Sequence, residues 1–163
     1  AYAALRGAFS AGEVSKTYLA LCLGAPVSRG ECALAIGHPS RGAAKARAYE
    51  DERRAAKAHG ALPAKTRFET LEWFDGFALV RARAFTGRMH QVRVHMAALG
   101  HPLAGDALYQ DDAARALDTS GAPRVFLHAA SLELPHPTTG ELLHVESPLA
   151  PDLEAVLATL KKR

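Results

Sequence analysis

The sequence predicts an α+β fold in which a mostly antiparallel mixed sheet is flanked by a few helices. Short apolar runs alternate with Gly- and Pro-containing turns, and an Asp-Gly pair at 75–76 separates two strand-like runs. Helical spacing is confined to a few segments, which is typical of this class. The chain has 163 residues, of which 48% are hydrophobic, and this predicts one domain over 1–163 with its own core.

The first half of the chain is expected to contribute one helix and two strands. Apolar residues recur at helical spacing within residues 1–10. The run Thr17–Leu23 reads as a strand ended by "GAP", and "GECALAIGHP" at 30–39 is its expected partner. Residues 40–62 contain six cations and three carboxylates, and this balance predicts an exposed helix or loop.

A hairpin and a helix are expected next. "KTRFETLEWF" and "GFALVRARAF" lie on either side of the Asp-Gly turn, and small or branched apolar residues alternate with Arg81 and Arg83 in the second run. A helix is expected after Gly87, and Gly100 suits its C-terminal cap. Its expected buried stripe consists of Met89, Val92, Met96 and Leu99.

The remainder is expected to hold a Gly- and Pro-punctuated loop, an acidic loop at 110–123, two strands and a helix. The strands are "RVFLHAASLEL" and "LLHVESP", and the helix begins at Asp152.

Cysteine usage and hydropathy bear on the compartment. Cys22 and Cys32 lie in apolar stretches, which predicts buried free thiols, with a single disulfide as the alternative. No apolar run approaches the ~20 residues that span a bilayer, and no signal peptide is visible. We therefore expect a cytoplasmic protein without a membrane partner.

Positive charge is concentrated in the middle of the chain. The net charge is only +3, but residues 76–105 contain no Asp or Glu and include Arg81, Arg83, Arg88 and Arg93. A nucleic acid is the counter-ion that this distribution predicts, and the alternative is that distant acids of the same fold pair with these arginines.

The helix expected after Gly87 carries polar side chains of several kinds. Arg88, Gln91 and His95 would share one stripe, whereas His90 and Arg93 would share another. Free N–H groups and the positive end of the dipole at the helix N-terminus would add to the basic side chains. This corner suits a phosphate backbone or a buried carboxylate.

Two other kinds of site are disfavoured. His90, His95 and His101 do not share a helical face and have no Cys or acidic ligand nearby, so no metal site is expected. Ser120 lies in a turn composition without the strand-to-helix elbow of a hydrolase nucleophile.

Four blocks of the sequence resemble one family. "TGRMHQVRVHMAALGHPLAGDALY" at 86–109 is similar to the signature of the RluA family of RNA pseudouridine synthases. The other blocks, "VSKTYLALCLGAP", "AKT" and "RVFLHAASLELPHPTTGELLHVESPLAPDL", resemble further family motifs in the same order. The resemblance thus covers nearly the whole chain.

The resemblance implies isomerisation of uridine to pseudouridine in ribosomal or transfer RNA, without cofactor or metal. Tyr18 matches the family's active-site Tyr, which packs on the base and is a candidate for accepting the C5 proton. Arg93 matches the Arg that holds the catalytic Asp ionised. Arg88, His90 and Gln91 are expected to contact RNA near the flipped nucleotide, and residues 40–62 are a further candidate RNA contact.

One family motif is not found. The catalytic Asp lies in a pattern like H-R-L-D-x-x-T-S-G before the K-T-Y-L-A-L strand, and "LDTSG" at 117–121 matches it neither in order nor in spacing, so Asp118 receives no catalytic role. We therefore expect the C-terminal portion of a synthase catalytic domain, inactive alone, with self-association through exposed strand edges. The alternatives are a naturally short relative and a non-catalytic RNA-binding module.

Overall fold

The structure is a computed structural model that describes residues 1–162. Its helices are α1 (Tyr2–Ala11), α2 (Glu52–Lys57), α3 (Gln91–Ala98), α4 (Asp112–Leu117) and α5 (Pro151–Leu160). Its strands are β1 (Ser15–Leu23), β2 (Arg29–Cys32), β3 (Ala35–His38), β4 (Arg47–Tyr49), β5 (His59–Leu62), β6 (Thr66–Phe74), β7 (Phe77–Ala84), β8 (Leu127–Pro135) and β9 (Leu142–Glu146). Within residues 1–162, no helix is both long and apolar enough to cross a membrane.

Two antiparallel sheets organise the fold, which confirms the predicted α+β class. The larger sheet has six strands in the order β2-β6-β7-β1-β8-β9, and the smaller has the order β4-β3-β5. β6 and β7 form the predicted hairpin, with Gly76 at φ 75° in its turn. The β1 strand lies inside the larger sheet and pairs with both β7 and β8, so its side chains are positioned by both neighbours.

The two faces of the larger sheet are covered differently. On one face, Ala20, Val80 and Ala82 pack against Val92 and Met96 of α3. On the other, a core cluster joins residues of β1 and β7 to α5: Leu21, Phe77, Leu79, Leu153 and Val156. The period-2 alternation of β7 therefore separates two apolar layers, and the exposed Arg81 and Arg83 lie on the same face as Leu79.

The prediction of one strand at 30–39 was wrong. The chain breaks after Cys32, so that β2 pairs with β6 in the larger sheet while β3 lies in the smaller one. Near the break, the Leu34 carbonyl is bonded by the His95 ring, and Ile36 is buried against Val94 of α3. Packing against α3 thus divides the run between two sheets, although the residues from Cys32 to Ile36 are all apolar.

Residues 40–62 form neither a single helix nor a loop. They contain β4, the short helix α2 and β5, and the two strands flank β3. The Asp51 side chain caps α2 by accepting the N–H of Arg53, and no residue of α2 is buried. The predicted exposure is therefore confirmed for α2.

The predicted stripe on the helix after Gly87 was wrong at both ends. The α-helix begins at Gln91, and Met89 and Leu99 are 47% and 38% exposed, whereas Val92 and Met96 are buried. His90 has φ 54°, so the first residues of the expected helix form an irregular turn instead. The helix consequently turns Gln91 and His95, both expected on polar stripes, into the interior.

Several other predictions agree with the structure. The first helix, the strands β8 and β9 and the C-terminal helix are present, and both cysteines are buried free thiols. The acidic loop at 110–123 differs, because it contains α4, whose first turn is capped by the Asp111 side chain.

The buried imidazole of His95 makes stability depend on pH. The ring is fully buried, with Nδ1 2.8 Å from Thr66 Oγ1 and Nε2 3.0 Å from the Leu34 carbonyl oxygen. Desolvation lowers the pKa of His95, although the bond to the Leu34 carbonyl opposes this. The unfolded chain then binds a proton at about pH 6.5, where the folded chain does not, so stability is present above that pH and is lost as the pH falls below it.

We expect the free energy of unfolding to fall by up to about 1 kcal/mol between pH 6.5 and 5.5 because of His95. Urea unfolding at a series of pH values measures this. The His95→Gln variant should show a smaller loss over the same interval, and His59→Gln, which changes an exposed ring, serves as the control. An identical pH dependence in wild type and His95→Gln would contradict the assignment.

Candidate active site

A cavity of about 310 Å³ opens on the α3 face of the larger sheet. Its floor is formed by β1 and the end of β7, and its wall by residues 86–88, His90 and the start of α3. All five residues singled out from the sequence line it: Tyr18, Arg88, His90, Gln91 and Arg93. Val125 and Leu127 make its other side apolar, and within residues 1–162 no Asp or Glu lines it.

Gln91 fixes the loop that forms the cavity wall. Its Oε1 accepts hydrogen bonds from Thr86 Oγ1 at 2.6 Å and from the Arg88 N–H at 3.1 Å. Its Nε2 donates to the Lys65 carbonyl and to Thr66 Oγ1, at 2.9 and 3.0 Å. Because the Gln91 side-chain amide is used on both sides, its structural contribution is to hold Thr86 and Arg88 against β6. Its predicted contact with RNA stays a prediction.

His90 is held in a strained backbone conformation beside the cavity. Within the described chain it is the one non-glycine residue with positive φ. Its Nδ1 lies 3.0 Å from the Tyr109 hydroxyl, and the two rings meet edge to face at 5.7 Å. Burial lowers the pKa of His90, and so does the nearby Arg93, so the ring is neutral at pH 7. Strain of this kind persists only where surrounding contacts hold it, and it is frequent at functional sites.

Arg93 makes a bidentate ion pair with Asp106. Nε and Nη2 donate to the two carboxylate oxygens at 2.8 and 2.6 Å, and the Asp106 side chain is fully buried. Asp106 also accepts the N–H groups of Leu108 and Tyr109, and the Arg93 guanidinium lies 4.9 Å from the Tyr109 ring centre. The hydrogen bonds that Arg93 donates to Asp106 raise the pKa of Arg93, so the guanidinium stays charged.

Arg93 pairs with a different aspartate from the one expected, and its Nη1 group has no partner within residues 1–162. The partner expected from the sequence was an Asp of the H-R-L-D motif, whereas the observed partner is Asp106 of "GDALY". The Nη1 group makes no hydrogen bond within residues 1–162 and remains free for a second anion. Asp106 and Tyr109 were missed as site residues, although their spacing in the G-D-x-x-Y motif is the signal that could have found them.

Tyr18 lines the cavity, and its hydroxyl has no hydrogen-bond partner within residues 1–162. It lies on β1 between Ala82 of β7 and Ala129 of β8, and its side chain is half-buried. Its hydroxyl makes no hydrogen bond within residues 1–162, which leaves it available to a ligand. Burial raises the pKa of Tyr18, so the hydroxyl is protonated at neutral pH.

Two cations without carboxylate partners in the described chain lie close to each other: Arg88 lines the cavity, and Lys16 lies beside Gly87 of its wall. Arg88 donates from Nε to the Pro63 carbonyl at 3.0 Å and has no ion pair within residues 1–162. Burial lowers the pKa of Lys16, and the neighbouring Arg88 lowers it further. Of the four arginines between 76 and 105, Arg81 and Arg93 have carboxylate partners in the fold. The prediction of unpaired charge is therefore confirmed for Arg83 and Arg88 only.

Asp118 is hydrogen-bonded by residues of its own loop and of the loop before α4. Burial by itself would raise the pKa of Asp118, but hydrogen bonds from Ser120, Gly105 and Gln110 bring it below its usual value. The N–H of Gly105 is one of these donors, at 2.7 Å. Gly105 has φ 68°, and a Cβ there would collide with the Arg124 carbonyl oxygen, so only glycine fits before Asp106.

The part of the chain that forms this cavity is similar to known RNA pseudouridine synthases. A family model described as RNA pseudouridylate synthase matches residues 1–98, which include all five predicted site residues. "Ribosomal large subunit pseudouridine synthase D" of Nitrosomonas europaea is 38% identical over 152 residues, covering 91% of this chain and 41% of the relative. "Ribosomal large subunit pseudouridine synthase C" of Yersinia pestis is 44% identical over 101 residues, covering 61% of this chain and 32% of the relative.

A solved structure agrees with the sequence relatives. "Human RNA Pseudouridylate Synthase Domain Containing 1" superposes with a TM-score of 0.74 and 33% identity, covering 94% of this chain and 62% of that one. The chain spans less than half the length of these two bacterial pseudouridine synthases. The family model matches more than half of the chain, and the fold is similar to that of a solved pseudouridylate synthase domain protein. The chain therefore belongs to the RNA pseudouridylate synthase family.

Proposed function

We propose that this chain binds a uridine of ribosomal RNA in the Tyr18–Arg93 cavity and forms part of the catalytic pocket of an RNA pseudouridine synthase. The observation that supports this is the convergence of Tyr18, Arg88 and Arg93 on one cavity with a cationic mouth. The reaction is an isomerisation: the N1–C1′ bond breaks, uracil rotates, a C5–C1′ bond forms, and a proton moves from C5 to N1. No oxidant, reductant or cofactor enters this balance.

Each residue has a role that follows from its position. The half-buried Tyr18 ring offers a surface for a flipped base, and its free hydroxyl can exchange a hydrogen bond or a proton with it. Lys16 and Arg88 suit the flanking phosphates, because neither has a carboxylate partner within residues 1–162. The neutral His90 can donate or accept a hydrogen bond at the edge of the cavity.

The chemistry also requires a carboxylate, which attacks C1′ or removes the C2′ proton. Asp106 is fully buried and bonded to Arg93, and within residues 1–162 no acidic residue lines the cavity. We propose that this carboxylate is supplied by polypeptide outside the described residues and is received by the free Nη1 of Arg93.

A chimera tests the proposal. Residues of this chain replace the matched 152-residue region of the Nitrosomonas europaea relative, and tritium release from ribosomal RNA labelled with [5-³H]uridine measures turnover. We expect release by the chimera and none by the isolated chain. A chimera that folds and binds RNA without releasing tritium would contradict the catalytic proposal. Labelled transfer RNA, assayed in parallel, tests the second substrate class.

A non-catalytic RNA-binding module is the second candidate, and the absence of a lining carboxylate within residues 1–162 favours it. It predicts RNA binding by the chain but an inactive chimera. Ribosomal substrates would place either protein in the cytoplasm. Self-association also stays a proposal: β9 is the last strand of its sheet, and Leu142, Leu143 and Val145 are exposed on it.

A further inference from the structure

We infer that a second RNA-contacting surface lies on the face of the larger sheet opposite to the Tyr18 cavity. This reverse-face arginine surface consists of Arg29, Lys65, Arg67, Arg81 and Arg83. The choice of RNA as its ligand rests on the proposed function, whereas the surface itself follows from charge and shape.

The reverse face is covered by a helix over only part of its area. The helix α5 packs on Leu79 and its neighbours, whereas the part toward Arg83 remains open. A concave region of about 430 Å³, lined by four of the arginines, lies there. The side chains of Ser15 and Thr17 line it as well, and their hydroxyls can bond phosphate or ribose oxygens.

The charges of this surface are not balanced. Glu69 is shared by Arg29 and Arg81, at 2.9 and 3.4 Å. Glu31 is shared in the same way by Lys65 and Arg67, at 3.1 and 2.6 Å.

Arg83 has no carboxylate partner within residues 1–162, and it lies directly opposite Arg67 on the neighbouring strand. Glu133 also lines the region, but its contact is with His144, whose Nδ1 lies 3.4 Å from Glu133 Oε1. Like charges opposite each other destabilise a sheet, and a bound anion would relieve this repulsion.

An aromatic ring connects this surface to the cavity. Phe85 is half-buried, and Arg83, Arg67 and Lys65 lie 5.0, 5.1 and 5.9 Å from its centre. The next residues of the chain, from Thr86 to Arg88, line the cavity itself. An RNA strand whose uridine occupies the cavity can therefore continue past Phe85 onto the reverse-face arginine surface. Cations around an aromatic ring suit phosphates and a stacked base, which favours single-stranded RNA over an acidic protein.

Binding of oligouridylates of two lengths to the chain tests this inference. Fluorescence anisotropy is measured with oligomers of about 4 and about 16 nucleotides, the range covered by comparable grooves. We expect Arg83→Ala to weaken the longer oligomer about fivefold, to leave the shorter one unchanged, and to reduce the salt slope by about 0.7. Arg83→Lys should retain most of the affinity. Arg115→Ala, which removes an exposed charge on α4, is the matched control.

Failure of this inference is distinguishable from failure of the proposed function. If Arg88→Ala weakens both oligomers while Arg83→Ala weakens neither, the second surface is wrong and the cavity assignment stands. If neither variant changes binding, both are wrong. Equal competition by polyglutamate of the same charge would identify a site for acidic protein and overturn the choice of RNA. Unfolding of each variant by urea checks that it is folded.

Discussion

Replacing Tyr18 with phenylalanine is expected to lower turnover of the chimera about 100-fold, which is the lower end of the contribution of an acid–base group. The substitution keeps the ring that would pack on the base and removes only the hydroxyl, which has no other hydrogen bond within residues 1–162. Little packing is lost, so RNA affinity should change by less than about threefold. Tritium release and anisotropy measure the two quantities separately.

The pH dependence of the same reaction reports the protonation state in which Tyr18 acts. Burial raises the pKa of Tyr18 above its usual value, so at pH 8 only a small fraction of the hydroxyl is ionised. If the phenolate accepts the C5 proton in a rate-limiting step, turnover should rise about tenfold per unit between pH 7 and pH 9. Tyr49→Phe, in the smaller sheet, is the control. Full turnover by Tyr18→Phe would contradict a catalytic role for the hydroxyl.

Replacing Arg93 with methionine is expected to destabilise the fold by about 3 kcal/mol, because it leaves an uncompensated buried charge. The Asp106 carboxylate is fully buried and would retain only the N–H groups of Leu108 and Tyr109. The loss lies at the lower end of the range for buried pairs, because Arg93 borders the cavity and water can enter in its place. Equilibrium unfolding in urea measures the change.

The chain contains a matched control for this prediction. Arg124 makes a bidentate pair with Asp152, at 2.7 and 3.0 Å, in the same geometry but with both side chains exposed. Exposed pairs contribute little, so Arg124→Met should leave the free energy of unfolding almost unchanged. Equal losses in the two variants would show that burial of Asp106 is not the cause.

Much of the fold could be predicted because its signals are local. The alternation along β7, the Asp-Gly turn before it and the apolar run of β1 each depend on neighbouring residues only. The site was located for a related reason. Its motif at 86–109 is contiguous, so Arg88, His90 and Arg93 had to lie near one another, whereas the placement of Tyr18 beside them rested on resemblance.

The predictions that were wrong share one physical cause, which is packing between segments that are distant in the sequence. The residues from Cys32 to Ile36 are all apolar, and the division of this run between two sheets depends on the packing of Ile36 against α3. Likewise, Gln91 and His95 have polar side chains, from which an exposed position was expected. Gln91 donates a hydrogen bond to the Lys65 carbonyl, and His95 is hydrogen-bonded to the Thr66 hydroxyl, so both side chains can be buried. Hydrophobic period alone cannot indicate such partners.

The order of amino acids was thus sufficient for the α+β class, for most strands and for the cationic corner with its family resemblance. Which charges are neutralised depended on the folded chain. Arg93 and Arg83 are equally basic in the sequence, but folding brings a buried carboxylate to Arg93 and places Arg67 opposite Arg83. Electrostatic pairing acts over a few ångströms in space, and only packing brings residues that are far apart in the chain to that distance.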